Sequence, residues 1–169
     1  MSDAEQPETP AEAVHESASE RRARLRRSAR LSAVQAMYQM EMSGQGAKSV
    51  VMQFRNHRFG HDQEPGEYIE ADEDFFEDLL NGIVTRQDEV DGLIRGALRE
   101  GWRLSRLDST VRAILRSGGY ELLARDDVPT KTVINEYIDI AHAFFEGPEP
   151  GFVNGTLDTL AKQVRKGAA

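Results

Sequence analysis

The stretch SRLDSTVRAILRSGGYEL, residues 105–122, decides the fold class. Leu107, Val111, Ile114, Leu115, Gly118 and Leu122 recur at three- and four-residue spacing, which places them on one face of an α-helix. Ser105-Arg106-Leu107-Asp108 has the spacing of a capping box, with Asp in place of the usual Glu. A helix with an apolar face must bury it against other elements, so neighbouring segments have to supply matching faces.

They do so in both directions. Downstream, Asp126 and Asp127 form a turn and Pro129 restarts the chain. Val133, Tyr137, Ile140, Ala141 and Phe144 then make the next face, and Gly147-Pro148-Glu149-Pro150-Gly151 breaks it. Val153, Leu157, Leu160 and Val164 mark a last helix. Upstream, Phe75, Phe76, Leu79, Leu80 and Ile83 form one helical pattern. Beyond a break near Thr85–Gln87 it continues with Val90, Leu93, Ile94, Ala97 and Leu98. Residues 60–74 are rich in Gly, Pro and acids and read as a loop. A short helix is expected over Ser49–Arg58, with Val50, Val51 and Phe54 inward. The first helix carries Leu31, Val34, Tyr38 and Met42 as its core face and ends at Gly44 and Gly46. No segment alternates as a strand, and no internal repeat is visible. The expectation is all-α, a single compact bundle of about seven helices.

The charge is unevenly placed. The chain has 169 residues, a net charge of −8 and no cysteine. Disulfides, thiolate metal sites and thiol nucleophiles are therefore excluded. Residues 1–20 hold six acids (Asp3, Glu5, Glu8, Glu12, Glu16, Glu20) and no Lys or Arg, which leaves −2 for the remainder. Such a segment has little apolar surface to offset its ordering entropy, and the expectation is a disordered acidic tail over 1–20. The next ten residues carry six arginines, Arg21, Arg22, Arg24, Arg26, Arg27 and Arg30, and no acid. For a polyanion this local charge matters more than the total. No apolar run approaches the roughly 18 residues of a membrane span, and Met1–Glu20 lacks a signal-peptide pattern. A cytoplasmic protein is expected.

The arginine block is the sharpest functional signal. Guanidinium groups present a planar fork that matches phosphate oxygens and can stack on exposed bases. A mobile arginine arm could follow an RNA backbone; equally, it could stay solvated or fold back on the acidic tail. Aromatic rings that stack bases are the second element. Tyr38, Tyr120, Tyr137 and Phe152 are candidates, and core packing is the competing role for each. Phe152 follows a Pro/Gly break and stands at a helix start whose free N–H groups favour phosphate. Asp72, Glu73, Asp74, Glu77 and Asp78 lack calcium-loop spacing and read as acids at the positive end of a helix. The histidines are scattered, with His57 and His61 four apart but separated by Gly60. No phosphate loop, nucleophile elbow or metal set is visible, so no enzyme activity, cofactor or metal is expected.

Two stretches resemble the NusB family. One is Arg26–Tyr38, an arginine-rich start followed by Ala-Val-Gln-Ala-Met-Tyr. The other runs from Ile114 to Asp158 and includes Tyr120-Glu121-Leu122, Asp127-Val128-Pro129, Val133-Ile134-Asn135-Glu136 and Phe152-Val153-Asn154-Gly155-Thr156-Leu157-Asp158. The resemblance covers about 21–166, weakest over 44–75, and the domain is expected there. It implies an all-α transcription antitermination factor that binds the boxA element of nascent RNA, notably in ribosomal RNA leaders. The implied partner is the small-subunit ribosomal protein acting as NusE. That pair would join NusA and NusG on RNA polymerase and suppress premature termination. Alone, the chain would be a monomer or a homodimer.

Carried over residue by residue, the resemblance places RNA contacts at Arg26, Arg27 and Arg30, with Arg21, Arg22 and Arg24 as added charge, and at Tyr38 and Phe152. Asn154 and Asp158 are assigned to local structure. Arg112, Arg116 and Glu121 are expected on the partner surface. Three features depart from the family pattern. Ala97 stands near a position that is often aromatic, so one stacking platform is missing. Ser117-Gly118-Gly119 replaces better helix formers, at roughly 1 kcal/mol per glycine, which close packing would justify. The acidic tail is the third, and is expected to shield the arginines from nonspecific RNA. Two alternatives are an accessory domain of an RNA methyltransferase, lacking its catalytic half, and a helical adaptor that binds only protein.

Overall fold

The computed structural model describes residues 15–60 and 68–165. Seven α-helices appear: α1 (Ala18–Ser43), α2 (Ala47–Gln53), α3 (Glu73–Thr85), α4 (Gln87–Ala97), α5 (Ser109–Ala124), α6 (Thr130–Phe144) and α7 (Glu149–Val164). A π-helical turn, Phe54–Arg58, prolongs α2, and a 3-10 turn, Leu104–Arg106, precedes α5. There is no strand among the described residues, so the all-α expectation holds.

Local chemistry sets the helix ends. Ser17 accepts from the Glu20 N–H at 3.0 Å and starts α1. Gly44 ends it in the left-handed region at φ +73°, where a Cβ would be strained. Asp72 accepts from the Phe75 N–H at 3.0 Å and starts α3, as expected for that acidic run. Asp108, rather than Ser105, caps α5, accepting from the N–H groups of Thr110 (2.8 Å) and Val111 (3.2 Å). The helix thus starts later than the capping-box spacing suggests, and Ser105 sits in the 3-10 turn. Residues 18–20 already belong to α1, which moves the expected tail boundary back; residues 1–14 lie outside the described residues.

Helix α5 is the axis of the bundle and packs against α1, α3, α4, α6 and α7. Eleven of its sixteen residues are buried. Its glycines make that close approach possible. A Cβ on Gly118 would stand 2.9 Å from Leu157 Cδ1 and 3.1 Å from Tyr137 Cδ2; on Gly119 it would meet Leu160 Cδ1 at 3.3 Å. The helix-propensity cost of this run is thus offset by interhelical packing. Arg165 closes the far end of α5. Its guanidinium donates to the carbonyls of Leu122 (2.9 Å), Arg125 (2.8 Å) and Val128 (2.7 Å), satisfying groups that the helix end leaves open.

Most expected core residues are buried, among them Phe75 to Ile83 on one face of α3, Val133 and Tyr137 on α6, and Leu157 and Leu160 on α7. Two faces differ from the sequence reading. On α1 the buried side is Ala29, Ala33, Val34, Ala36 and Met37, whereas Tyr38 and Met42 are exposed. Alanines let α3 and α5 approach closely, and that rotates α1 away from its larger side chains. On α6, Phe144 is exposed and Phe145 is partly buried instead. No described helix is long and apolar enough to cross a membrane.

Candidate RNA interface

All six arginines of the block lie in regular helix, so α1 carries them as a rigid array. Five of them face carboxylates of the same chain. Arg21 lies 3.7 Å from Glu70. Arg24 makes a forked contact with Glu16 at 2.7 and 3.0 Å and lies 3.6 Å from Glu70. Arg26 stands 3.6 Å from both Asp72 and Asp127. Arg27 reaches Glu136 at 3.3 Å. Arg22 has no carboxylate partner among the described residues.

Arg30, expected among the RNA contacts, is interior. It is 3% exposed and donates its Nε (3.0 Å) and Nη2 (2.5 Å) to Glu121, which is itself fully buried. Burial opposes the arginine's charge, but the hydrogen bonds and charge of Glu121 outweigh it and leave its pKa raised. Arg26, Arg30 and Arg125 surround the buried Phe75 ring at 4.6, 5.0 and 4.9 Å. This cation–π knot locks α1 to α3 and α5.

The three residues expected on a partner surface are also engaged inside the fold. Arg112 is buried; it donates to the carbonyls of Leu107 (2.8 Å) and Leu104 (3.3 Å) and pairs with Glu41. It therefore ties the 3-10 turn to α1. Arg116 makes a forked contact with Asp91 at 2.8 and 3.1 Å, pinning α5 to α4. Glu121 receives Arg30. Because α5 is surrounded on all sides, its charged residues must be paired internally.

Two surface features remain available. Tyr38, 44% exposed, lines a groove of about 360 Å³ with Val34, Gln35, Phe144 and the start of α5 at Asp108, Ser109 and Thr110. Further along the chain, Phe152 stacks obliquely on Trp102, with ring centroids 5.2 Å apart and planes at 36°. Trp102 is 54% exposed, so much of the indole stays open. Buried Leu104 anchors the loop, and Gly101, at φ +87°, turns it. Arg99, Arg103 and Arg106 flank the indole in sequence. All three are exposed and none has an ion-pair partner among the described residues. Sequence reasoning missed this cluster. The signal was present: the chain's single tryptophan sits among three arginines in REGWRLSR, residues 99–106. Trp102 lies five positions after Ala97, the position expected to lack an aromatic ring. Tyr120 and Tyr137 are buried, and burial raises both phenol pKa values. Among the described residues no His, Asp and Glu group is arranged to hold a metal.

The family model of the NusB family matches residues 27–162, most of the bundle just described. The chain belongs to the NusB family. The transcription antitermination protein NusB of Maricaulis maris is 59% identical over 155 residues, covering 92% of this chain and 97% of that relative. The NusB of Caulobacter vibrioides is 56% identical over 137 residues, covering 81% and 92%. Among solved structures, T. maritima NusB superposes with a TM-score of 0.68 at 28% identity, covering 81% of this chain and 90% of that one. A structure of the antitermination factors NusB and NusE in complex with double-stranded RNA shares the fold, with a TM-score of 0.63 at 21% identity, covering 81% and 96%. In this NusB-family chain, the matched region includes Trp102 and Phe152 and every arginine from Arg27 to Arg125.

Proposed function

We propose that this chain is a non-catalytic transcription antitermination factor of the cytoplasm that binds boxA-type nascent RNA, notably ribosomal RNA leaders. Its relatives bear the antitermination name. In this reading it acts with the ribosomal protein NusE and, through it, with NusA, NusG and RNA polymerase. The RNA-binding unit spans 21–166, and the acidic segment precedes it.

The observation that carries the RNA reading is the open Trp102–Phe152 pair, with the exposed Arg99, Arg103 and Arg106 in the same stretch of chain as Trp102. Single-stranded RNA is held by aromatic rings that stack bases and by cations that neutralise phosphates. Here the rings are preorganised and the cations are not spent on internal acids. Tyr38 in its groove extends the same chemistry, whereas Arg21, Arg24, Arg26 and Arg27 contribute only after giving up carboxylates. The fold shared with a NusB solved alongside NusE and RNA supports the choice of partner.

The test is a titration of labelled boxA-like RNA and a scrambled control, with and without the ribosomal partner, at two salt concentrations. Selective binding that the partner strengthens is expected. Replacing Arg99, Arg103 and Arg106 by Gln should flatten the logarithmic salt slope by about 2, near 0.7 per lost phosphate contact on a single strand. Equal binding to both RNAs, or none with the partner present, would overturn the reading.

A further inference from the structure

We propose that Glu16, Glu70 and Asp127 are specificity-determining residues that act as a built-in competitor for phosphate on the arginine face of α1. This rests on the RNA-binding reading above and concerns the selectivity of that binding.

The contacts come from three separate places in the chain. Glu16 lies just before α1, Glu70 before α3, and Asp127 in the turn between α5 and α6. All approach Arg21, Arg24 and Arg26, while Asp127 is held at the same time by a forked contact from Arg125 at 2.9 and 3.0 Å. Three of the four contacts are 3.6–3.7 Å long, beyond the roughly 2.7–2.9 Å of a well-formed charge-assisted hydrogen bond. The carboxylates are 34–53% exposed. Loose, exposed pairs of this kind add little to fold stability. They do, however, lower the positive potential that a phosphodiester backbone would meet. A generic polyanion must displace them with charge alone. An RNA that also stacks on Trp102 and Phe152 has further binding energy with which to open them. Every ligand meets the same displacement cost, so a polyanion held by charge alone falls below useful affinity while an RNA with stacking contacts stays bound.

The experiment compares the full chain with two triple variants. The first, Glu16→Gln with Glu70→Gln and Asp127→Asn, removes the competitor. The second, Asp88→Asn with Asp139→Asn and Glu146→Gln, removes equal charge from exposed acids that have no arginine partner among the described residues. Each is titrated without the ribosomal partner against heparin and a labelled uridine oligonucleotide, and thermal unfolding verifies the fold. The first variant should bind both probes about tenfold more tightly, and the second less than threefold. The single variant Glu70→Gln should show part of the gain. Equal gains in both triple variants would mean that net charge alone is at work, and no gain in the first would mean that the carboxylates do not compete; either overturns the proposal. Because the probes are generic and the partner is absent, a failure to prefer boxA-like RNA would sink the antitermination reading and leave this result standing.

Discussion

Arg30 of α1 and Glu121 of α5 form a closed pair, with the guanidinium at 3.0 and 2.5 Å from the carboxylate and both side chains withdrawn from water. Buried pairs are costly to break because the surviving partner keeps its desolvation penalty. Arg30→Met alone should therefore destabilise the fold by about 3–5 kcal/mol in urea unfolding. The double variant Arg30→Met with Glu121→Leu should lose much less, and its RNA affinity should match the parent. If the double variant folded but lost RNA binding, Arg30 would be a ligand contact after all.

Trp102 offers a direct optical readout, since it is the chain's single tryptophan. Stacking of a base on the indole should quench its fluorescence during an RNA titration. Trp102→Ala should weaken RNA binding by about 1–3 kcal/mol, the range for one stacked base. Trp102→Phe should retain most of the affinity. Thermal unfolding should barely change, because the side chain is half exposed. Unchanged fluorescence and affinity would remove this ring from the interface.

The glycines divide by what faces them. A Cβ on Gly82 would fall 2.0–2.4 Å from the Tyr120 ring, whose hydroxyl donates to Asp78 at 3.2 Å. Gly82→Ala should therefore cost about 1–3 kcal/mol through overpacking. Gly92 in α4 and Gly155 in α7 face open space. Alanine at either should stabilise the fold by about 0.5–1 kcal/mol through helix propensity. Chemical denaturation of the three variants distinguishes these signs, and equal effects at all three would contradict the packing described for α3 and α5.

Tyr137 makes the fold sensitive to alkali. It is fully buried, and burial first, then the Glu121 carboxylate, hold its phenol well above the ordinary value near 10. The unfolded chain releases that proton near pH 10 while the native chain keeps it. Stability is thus fully present below about pH 10 and falls as pH rises above it, by up to about 1.4 kcal/mol per pH unit for one group. Tyr120, raised by burial and by Asp78, acts in the same direction. Tyr137→Phe should flatten this decline in urea unfolding between about pH 9 and pH 11. An identical slope in the variant would show that the phenol does not titrate on unfolding.

The sequence by itself determined the helices, their order and most of the core. Periodicity is a local property, and residues such as Leu79, Ile83, Leu157 and Leu160 reveal a buried face from their spacing alone. Caps and breaks at Asp72, Gly44 and Pro148–Pro150 are equally local, and the motifs from Tyr120 to Asp158 were enough to suggest the family. What α1 and α5 do with their charged residues was decided only in three dimensions. Nothing in the run from Arg21 to Arg30 shows that Glu70, Asp127, Glu136 and Glu121, distant in sequence, return to meet it. Nor does the pattern of α5 show that five helices surround it and turn Arg112, Arg116 and Glu121 into interior pairs. Whether a cation is free to meet RNA depends on long-range neighbours that spacing cannot encode. For the same reason the folded chain leaves Trp102 and its flanking arginines open while it closes Arg30.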